Sequence, residues 1–340
     1  MGTPIGDLIS RETIDLPYLS RKVIAVDAHN MLYQFLSSIR GPEGKPLTNA
    51  EGHVTSHLAG LLYRTSNLVE AGIRPVFIFD GKPHALKRAT LDKRREIRTK
   101  AKEEMETAIE SGDFEKARMM GARAVSLSHE MIQDAEKALH WLGFPVIHAS
   151  QEGESQAAQL VKNNLAFAAA TQDYDALLFQ TPVVIRNMAV TGKRKLPYRN
   201  AYVNVEPEKV VLHDVLRAHH LTYEQLVWIG MLVGTDFNDK IPLVGPKKAL
   251  KAVEGKKSFP EVLAGLKKEV EYDWEAVQEL FFHPSVNKID SIPEAHVDVE
   301  KATAFYCDTH GFDHVRVTNA LKKIVKAPED NKQSTLGKWK

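Results

Sequence analysis

Residues 166–179 read AFAAATQDYDALLF, a run of small apolar residues that opens onto two acids, Asp173 and Asp175. The run has the length and composition of a strand that is buried on both faces of a sheet. Burying a carboxylate costs free energy unless another group neutralises it, so two acids at the exit of a buried strand require an explanation. The explanation lies in what the other strands of the chain carry at the same place.

Apolar runs of strand length recur along the chain, and helical patterns separate them. The predicted strands are residues 22–26, 74–79, 144–149, 166–170, 182–187 and 201–205. Helical periodicity covers 54–71, 84–110 and 113–142, and the chain from 207 onwards is predicted to be almost wholly helical. This alternation predicts an α/β fold in which helices cover both faces of a mostly parallel sheet.

Acidic residues follow four of these strands at the point where each strand ends. They are Asp27, Asp80, the pair Glu152 and Glu154, and the pair Asp173 and Asp175. Because the carboxyl ends of parallel strands share one crevice, we expect these side chains to lie together. Asp236, between two helical stretches, is a seventh candidate. Helix capping accounts for any single acid, but not for the recurrence at four strand ends or for the pairs.

Clustered carboxylates need a counter-charge, because like charges raise one another's pKa values. Oxygen ligands without neighbouring cysteine favour Mg²⁺ or Mn²⁺ over Zn²⁺. Two such ions can activate water and stabilise the leaving oxygen in a displacement at phosphorus. The acids therefore predict a site for two divalent ions that hydrolyses phosphodiester bonds.

A strongly basic segment follows Asp80. Residues 82–102 contain nine Lys and Arg but two acids, a local charge of +7 on a chain whose total is +1. On a helix, Lys87, Arg94 and Arg98 fall on one face. Two acids are too few to balance the bases as a solvated ion-paired face, so the segment favours phosphate binding. One of these cations could neutralise charge that develops on a scissile phosphate.

A second basic element follows Asp236. Gly245 precedes a predicted helix that opens with Pro246, and Lys247 and Lys248 lie in its first turn. The backbone N–H groups of a helix N-terminus suit a DNA phosphate.

Two weaker candidates lie elsewhere in the chain. Residues 191–195, which include Lys193 and Arg194, form a basic turn of a kind that is usually just solvated. Tyr33, on the first predicted helix, could stack on a base, although an ordinary half-buried packing position fits it equally well. His29, next to the first acid, is predicted to be a packing residue rather than a ligand.

The bulk composition is that of a soluble globular protein, with 43% hydrophobic and 26% charged residues. Cys307 is the only cysteine, which excludes an internal disulfide and favours a reducing compartment. No stretch approaches the roughly 18 apolar residues of a membrane span, and no secretion signal is evident. We therefore expect a cytoplasmic protein, and we expect it to be a monomer.

Five segments resemble, in order and spacing, the flap structure-specific endonucleases. They are VDAHNMLYQFL (26–36), PVFIFDGKPHALK (75–87), EGESQAA (152–158), TQDYDALLF (171–179) and LVGTDFN (232–238). This family belongs to the 5′-nuclease superfamily, whose members have a PIN-like core, and its archaeal members are the most similar. The resemblance implies a single nuclease domain over residues 1–325.

The resemblance also assigns positions in the active site. Residues 1–100 and about 140–255 would form that site, beneath a helical arch of about 84–130. The seven acids match the family's metal ligands, with two Mg²⁺ ions per site and Mn²⁺ as an alternative. Lys87 and Arg94 match basic residues that reach the scissile phosphate.

The family also implies how DNA is held. The positions implied to contact DNA are Gly2 at a processed N-terminus, Tyr33, Arg95, Arg98, Lys193, Arg194, Gly245, Lys247 and Lys248. Residues 236–254 resemble a helix–two-turn–helix element that binds the uncleaved duplex, with a K⁺ ion bridging to phosphate. Leu243 replaces a glycine that family members usually have there, which removes one point of close backbone approach.

The C-terminal segment, residues 326–340, is predicted to be a flexible tail. It resembles a sliding-clamp-binding peptide formed by Gln333, Leu336 and Trp339. Lys340 occupies a position that usually carries a second aromatic residue, so binding to the clamp should be weaker.

The resulting prediction is a metal-dependent 5′-flap endonuclease, with 5′–3′ exonuclease activity, that acts in DNA replication and repair. A 5′ exonuclease or a junction resolvase of the same superfamily is the nearest alternative. A PIN-type ribonuclease would share the acids but needs neither arch nor duplex-binding element. A phosphatase for small molecules would not need the basic segment, and a non-catalytic clamp partner would have no use for seven acids.

Overall fold

The computed structural model describes residues 2–41, 45–190, 192–195 and 202–336. Its strands β1–β9 span Glu12–Thr13, Val23–Asp27, Arg74–Phe79, Val146–His148, Ala168–Ala170, Val183–Arg186, Gly192–Lys195, Tyr202–Val205 and Glu208–Val211. Its helices α1–α7 span Ala28–Ser38, Ser56–Glu70, Arg88–Glu110, Phe114–Arg123, His129–Trp141, Gly153–Lys162 and Asp175–Leu178. Helices α8–α14 span Leu212–Ala218, Tyr223–Val233, Pro246–Val253, Phe259–Leu266, Trp274–Phe282, Val299–Thr303 and His314–Leu336.

Within these described ranges, seven strands form one sheet in the order β1-β9-β6-β5-β2-β3-β4. The five strands from β6 to β4 are parallel, and β9 and β1 extend the sheet antiparallel at one edge. Apolar cores on both faces join the sheet to the surrounding helices. The predicted fold class is therefore confirmed.

The quoted alanine run forms the strand β5 beside the central strand β2. Ala168, Ala169 and Ala170 are all buried, and Ala169 lies in register with Ala25 of β2. Side chains this small allow the flanking helices to approach the sheet closely on both faces. The strand ends three residues before Asp173, so its position fixes where the first acid of the pair emerges.

Several details differ from the sequence prediction. Residues 208–211, predicted to be helical, form strand β9, because β-branched Val210 packs its side chain into the core between the sheet and helices. The single helix predicted over 113–142 is two helices, α4 and α5, since Ser128 caps a new N-terminus by accepting the Met131 N–H at 3.2 Å. Strand β8 pairs with β7 in a separate ribbon rather than joining the main sheet.

Helices α3 and α4 form an antiparallel hairpin within the stretch predicted to be the arch. The turn between them contains Gly112 at φ +75°, a left-handed conformation that glycine adopts without strain. Helices α3 and α4 pack against each other, and their buried side chains are Ala101 and Ala108 on α3 and Ala117 and Met120 on α4.

The last helix, α14, packs Val317, Leu321 and Ile324 into the core beside α2. Its backbone continues to Leu336, although the sequence predicts a tail from residue 326. Gln333 and Leu336 of the predicted clamp peptide lie on this helix, while Trp339 and Lys340 lie outside the described residues. No helix in the described ranges is long and apolar enough to cross a membrane.

Candidate metal centre

Two acids lie at the ends of the central strands β2 and β3. Asp27 ends β2 and caps α1, where its Oδ1 accepts the Asn30 N–H at 2.9 Å. Asp80 follows β3, and its Oδ1 accepts the Gly153 N–H at 2.6 Å. A Cβ at Gly153 would lie 2.8 Å from this oxygen, so the close approach of backbone to carboxylate requires glycine here.

The other predicted acids come from three further places in the chain. Glu152 is the N-cap of α6, and Glu154 lies in the first turn of that helix. Asp173 lies between β5 and α7, and Asp175 is the first residue of α7. Asp236 belongs to the loop that joins α9 to α10. The strand ends therefore bring together acids that are up to 209 positions apart, from residue 27 to residue 236.

Four of these acids carry raised pKa values; in Glu152, burial raises the pKa more than the neighbouring Lys87 ammonium lowers it. Burial, followed by the charges of neighbouring acids, raises the pKa of Asp27 to about 8 and that of Asp175 to about 7. The same causes raise the pKa of Glu154 well above its ordinary value. The neighbouring acids responsible are members of the same set, including Asp80, Asp173 and Asp236. Mutual repulsion of this kind identifies one electrostatic cluster.

Two cations of the stretch predicted to be the arch, Lys87 and Arg94, contact this cluster. The Lys87 ammonium donates a hydrogen bond to Glu152 Oε2 and lies 3.6 Å from Asp236 Oδ2. Two turns along α3, Arg94 Nη2 donates to Asp236 Oδ1. Burial alone would lower the pKa of Lys87, but the neighbouring carboxylates, Glu152 foremost, raise it above its ordinary value. Lys87 and Arg94 thus neutralise the arch side of the cluster.

Neutral donors hold the remaining acids, and sequence reasoning missed them. Asn30 Nδ2 donates to Asp173 Oδ2 at 3.1 Å, and the Thr171 hydroxyl lies 3.3 Å from Asp27 Oδ2 and 3.4 Å from Glu154 Oε1. The sequence offers a local clue to both donors, because Asn30 and Thr171 each lie within three residues of a predicted acid.

Thr3 is a third neutral donor, and it binds Asp175 from 172 positions away. Its backbone N–H donates to Asp175 Oδ1 at 2.7 Å, and its hydroxyl donates to the same oxygen. No local pattern in the sequence predicts a contact over such a separation.

His29 lies beside Asp80, with its Nδ1 at 3.5 Å from Oδ2. The same nitrogen accepts the Asp80 backbone N–H at 3.3 Å, and the ring packs edge-on against Phe79. These contacts agree with the predicted packing role.

The chemistry of the donor set fits a divalent cation. The cluster offers carboxylate oxygens, and its buried members are destabilised by negative charge that a hard cation would neutralise. Among the described residues, no group of three or more His, Cys, Asp or Glu is arranged to hold an ion as it stands. Two of the acids are instead turned towards Lys87 and Arg94.

The predicted DNA contacts near the cluster lie on the arch, on α1 and at the N-terminus. The guanidinium carbon of Arg98 lies 5.2 Å from the centre of the Tyr33 ring, and Arg95 is exposed. Gly2 lies against Asp173, where an added Cβ would be 2.7 Å from that residue's Cβ. Lys193 lies on the ribbon, and the side chains of β7, which also carries Arg194, are outside the described part.

The loop and helix after Asp236 present a basic surface. Gly245 precedes α10 with open space around it, and Lys247 and Lys248 are exposed in the first turn. Leu243 has φ +66° and is 88% exposed. A side chain in this left-handed region costs about 1 kcal/mol relative to glycine.

Models of two families match this chain. The XPG N-terminal domain matches residues 7–101, and the XPG I-region matches residues 143–236. The two matched regions together contain all seven clustered acids, and Asp236 is the last residue of the second region. The fold and the acidic cluster therefore define a nuclease of the XPG class.

More specific similarity comes from whole-chain relatives. Flap endonuclease 1 of Pyrococcus abyssi is 45% identical over 100% of this chain and 98% of its own length. Flap endonuclease 1 of Methanosarcina acetivorans is 46% identical over 100% of both chains. The solved structure of flap endonuclease-1 from Methanococcus jannaschii covers 97% of this chain and 100% of its own, at 33% identity and a TM-score of 0.76. The chain belongs to the flap endonuclease 1 family.

Proposed function

We propose that this protein is a metal-dependent, structure-specific endonuclease that cuts DNA where a 5′ single strand leaves a duplex. The convergence of seven acids and two arch cations in one crevice carries the proposal. Membership in the flap endonuclease 1 family indicates the substrate. Replication and repair are the settings in which such flaps arise.

The acids would hold two Mg²⁺ ions, with Mn²⁺ as an alternative. They are Asp27, Asp80, Glu152, Glu154, Asp173, Asp175 and Asp236. When bound, these ions supply Lewis-acid chemistry at phosphorus. Thr3, Asn30 and Thr171 fix the orientation of the carboxylates through their hydrogen bonds.

Lys87 and Arg94 provide the positive charge that the transition state needs. Their present partners, Glu152 and Asp236, are acids that a divalent ion would attract. With those acids engaged by a divalent ion, the Lys87 ammonium and the Arg94 guanidinium would face the scissile phosphate and would stabilise the negative charge of the transition state. The products carry a 5′-phosphate and a 3′-hydroxyl, and the same centre accounts for 5′–3′ exonuclease activity.

The uncleaved duplex would lie along the surface formed by Gly245, Lys247 and Lys248. The N-terminus of α10 offers backbone N–H groups to a phosphate, and the lysines add charge. A K⁺ ion at this loop could bridge to the same phosphate. Leu243 prevents close approach of the backbone at one point of the turn. Tyr33, covered by Arg98, would face the nucleotide that is unpaired.

A substrate panel tests the proposed activity. The protein is incubated with Mg²⁺ and end-labelled 5′-flap, blunt duplex, Holliday junction and RNA substrates, and the cut is mapped. We expect cleavage of the flap substrate at the junction, with a 5′-phosphate product. Preferred cleavage of the Holliday junction or of RNA would contradict the proposal.

We also propose that the C-terminal residues bind a sliding clamp and that the enzyme is a monomer on DNA. The support is the spacing of Gln333, Leu336 and Trp339 in the sequence. Deleting residues 333–340 should leave intrinsic flap cleavage unchanged and should remove stimulation by the clamp. Loss of cleavage in the absence of a clamp would show that these residues have another role.

A further inference from the structure

The N-terminal residues of the chain form a segment that lies directly on the Asp173–Asp175 turn. An added Cβ at Gly2 would be 2.7 Å from Asp173 Cβ, and one at Gly6 would be 3.0 Å from the Tyr174 ring. We call residues 2–6 the N-terminal segment. Its backbone lies close to Asp173 at Gly2 and close to Tyr174 at Gly6. Thr3 lies between them and is 2% exposed.

The N-terminal segment is anchored rather than loose. The Ile5 N–H donates to Thr3 O at 2.9 Å, and Ile5 is fully buried in the core that also contains Leu177 and Leu178 of α7. The same core therefore fixes both the segment and the helix that starts with Asp175. A hydrogen bond between two elements held this way has little freedom to change its geometry.

Both donors of Thr3 converge on one oxygen of Asp175. The backbone N–H donates to Oδ1 at 2.7 Å, and the hydroxyl donates to the same atom. Within the described residues, no hydrogen bond is directed to the other oxygen, Oδ2. The carboxylate thus has one oxygen engaged by the protein and the other left for an ion.

We propose that Thr3 is a positioning residue of the metal centre, which orients Asp175 so that Oδ2 serves as a ligand oxygen. This inference rests on the proposed function. The hydroxyl acts through Asp175, to which it donates, and Thr3 itself is buried. Groups that orient ligating carboxylates typically contribute about 10- to 100-fold to metal affinity or activity.

The decisive comparison is between Thr3→Val and Thr3→Ser. Valine keeps the shape and the backbone donor but lacks the hydroxyl, whereas serine keeps both donors. Thr65→Val is a matched control, because Thr65 is a fully buried threonine of α2 whose hydroxyl has no hydrogen-bond partner in the described structure. Thermal unfolding of each variant reports whether the fold is intact.

Two readouts separate positioning from simple packing. Mn²⁺ titration of the DNA-free protein by calorimetry should show affinity weakened about tenfold in Thr3→Val and near wild type in Thr3→Ser and Thr65→Val. Single-substrate kinetics on a 5′ flap should show kcat lowered about tenfold with KM unchanged. Serine should restore both values.

Several results would overturn the inference. Equal Mn²⁺ affinity and kcat in Thr3→Val and the wild type would remove the hydroxyl from the metal centre. Equal impairment in Thr3→Val and Thr3→Ser would show that Thr3 contributes only through packing. If the wild type binds Mn²⁺ but does not cut flaps, the proposed function fails, while the binding comparison still decides the role of Thr3.

Discussion

The two sides of the carboxylate cluster hold the same kind of side chain in different electrostatic surroundings. On the arch side, Glu152 and Asp236 face the ammonium of Lys87 and the guanidinium of Arg94. These cations offset part of the negative charge, and burial still leaves the pKa of Glu152 above its ordinary value.

On the sheet side, Asp27, Glu154 and Asp175 receive hydrogen bonds from neutral groups of the described structure. Burial and the neighbouring acids raise the pKa of each. Hydrogen bonds orient these carboxylates but do not balance their charge. We therefore expect a divalent ion to bind most favourably on the sheet side, and we propose that the cations of the arch side serve the substrate.

The largest expected effect is on the sheet side. Asp175→Asn keeps the shape and an acceptor for Thr3 but removes a charged ligand. Because ion chemistry contributes several kcal/mol to such a reaction, single-turnover flap cleavage should fall by about a thousandfold or more. Binding of branched DNA, measured by gel shift, should persist. Asp239→Asn is the control, since Asp239 is an exposed acid of the loop near Asp236 that pairs with Lys93.

Retained flap cleavage in Asp175→Asn would show that Asp175 is not part of the metal centre. The proposed difference between the two sides would then be wrong. Loss of turnover in the Asp239 control would instead indicate a general effect of charge in this region. Asp80→Asn should behave like Asp175→Asn, because Asp80 also belongs to the cluster.

A smaller effect is expected on the arch side. Arg94→Ala removes the guanidinium that pairs with Asp236 and that we place at the scissile phosphate. Loss of one such electrostatic donor lowers the chemical step by about 100-fold. Single-turnover rates at saturating enzyme should fall by that amount, while affinity for flap DNA should change much less.

Lys93→Ala is the matched control for Arg94→Ala. Lys93 is the preceding residue on α3, but its ammonium pairs with the exposed Asp239 at 2.7 Å. An exposed ion pair contributes about 1 kcal/mol or less, so the chemical step should be nearly unchanged. If both variants lose rate equally, the basic helix acts through its overall charge rather than through a specific side chain.

The smallest effect concerns stability. Mg²⁺ should raise the unfolding temperature of the wild type, because the ion relieves repulsion on the sheet side of the folded protein. At an Mg²⁺ concentration of about 100 times Kd, linkage gives about 2.7 kcal/mol. Differential scanning calorimetry should show the shift in Arg94→Ala as well, whereas Asp175→Asn should lose most of it. If Mg²⁺ raised the unfolding temperature equally in the wild type, Arg94→Ala and Asp175→Asn, the ion would bind outside the sheet side of the cluster.

Much of the site could be predicted from local patterns. Asp27, Asp80 and the two acidic pairs follow apolar strands, and the strand period and the parallel topology place their side chains at one edge. The basic face of α3 follows from helical spacing. These acids can be found from the sequence because the strand immediately before each one fixes its position.

The sequence by itself therefore determined the five parallel strands, the acids that follow them, the basic helix α3 and the family. The tertiary structure alone decided which cations and donors meet which acids. Lys87 reaches Glu152 over 65 positions, and Thr3 reaches Asp175 over 172. Strand β9, which lies between β6 and the edge strand β1, also depends on such contacts. Local spacing specifies how a segment folds, whereas a contact between distant segments depends on the packing of the whole chain.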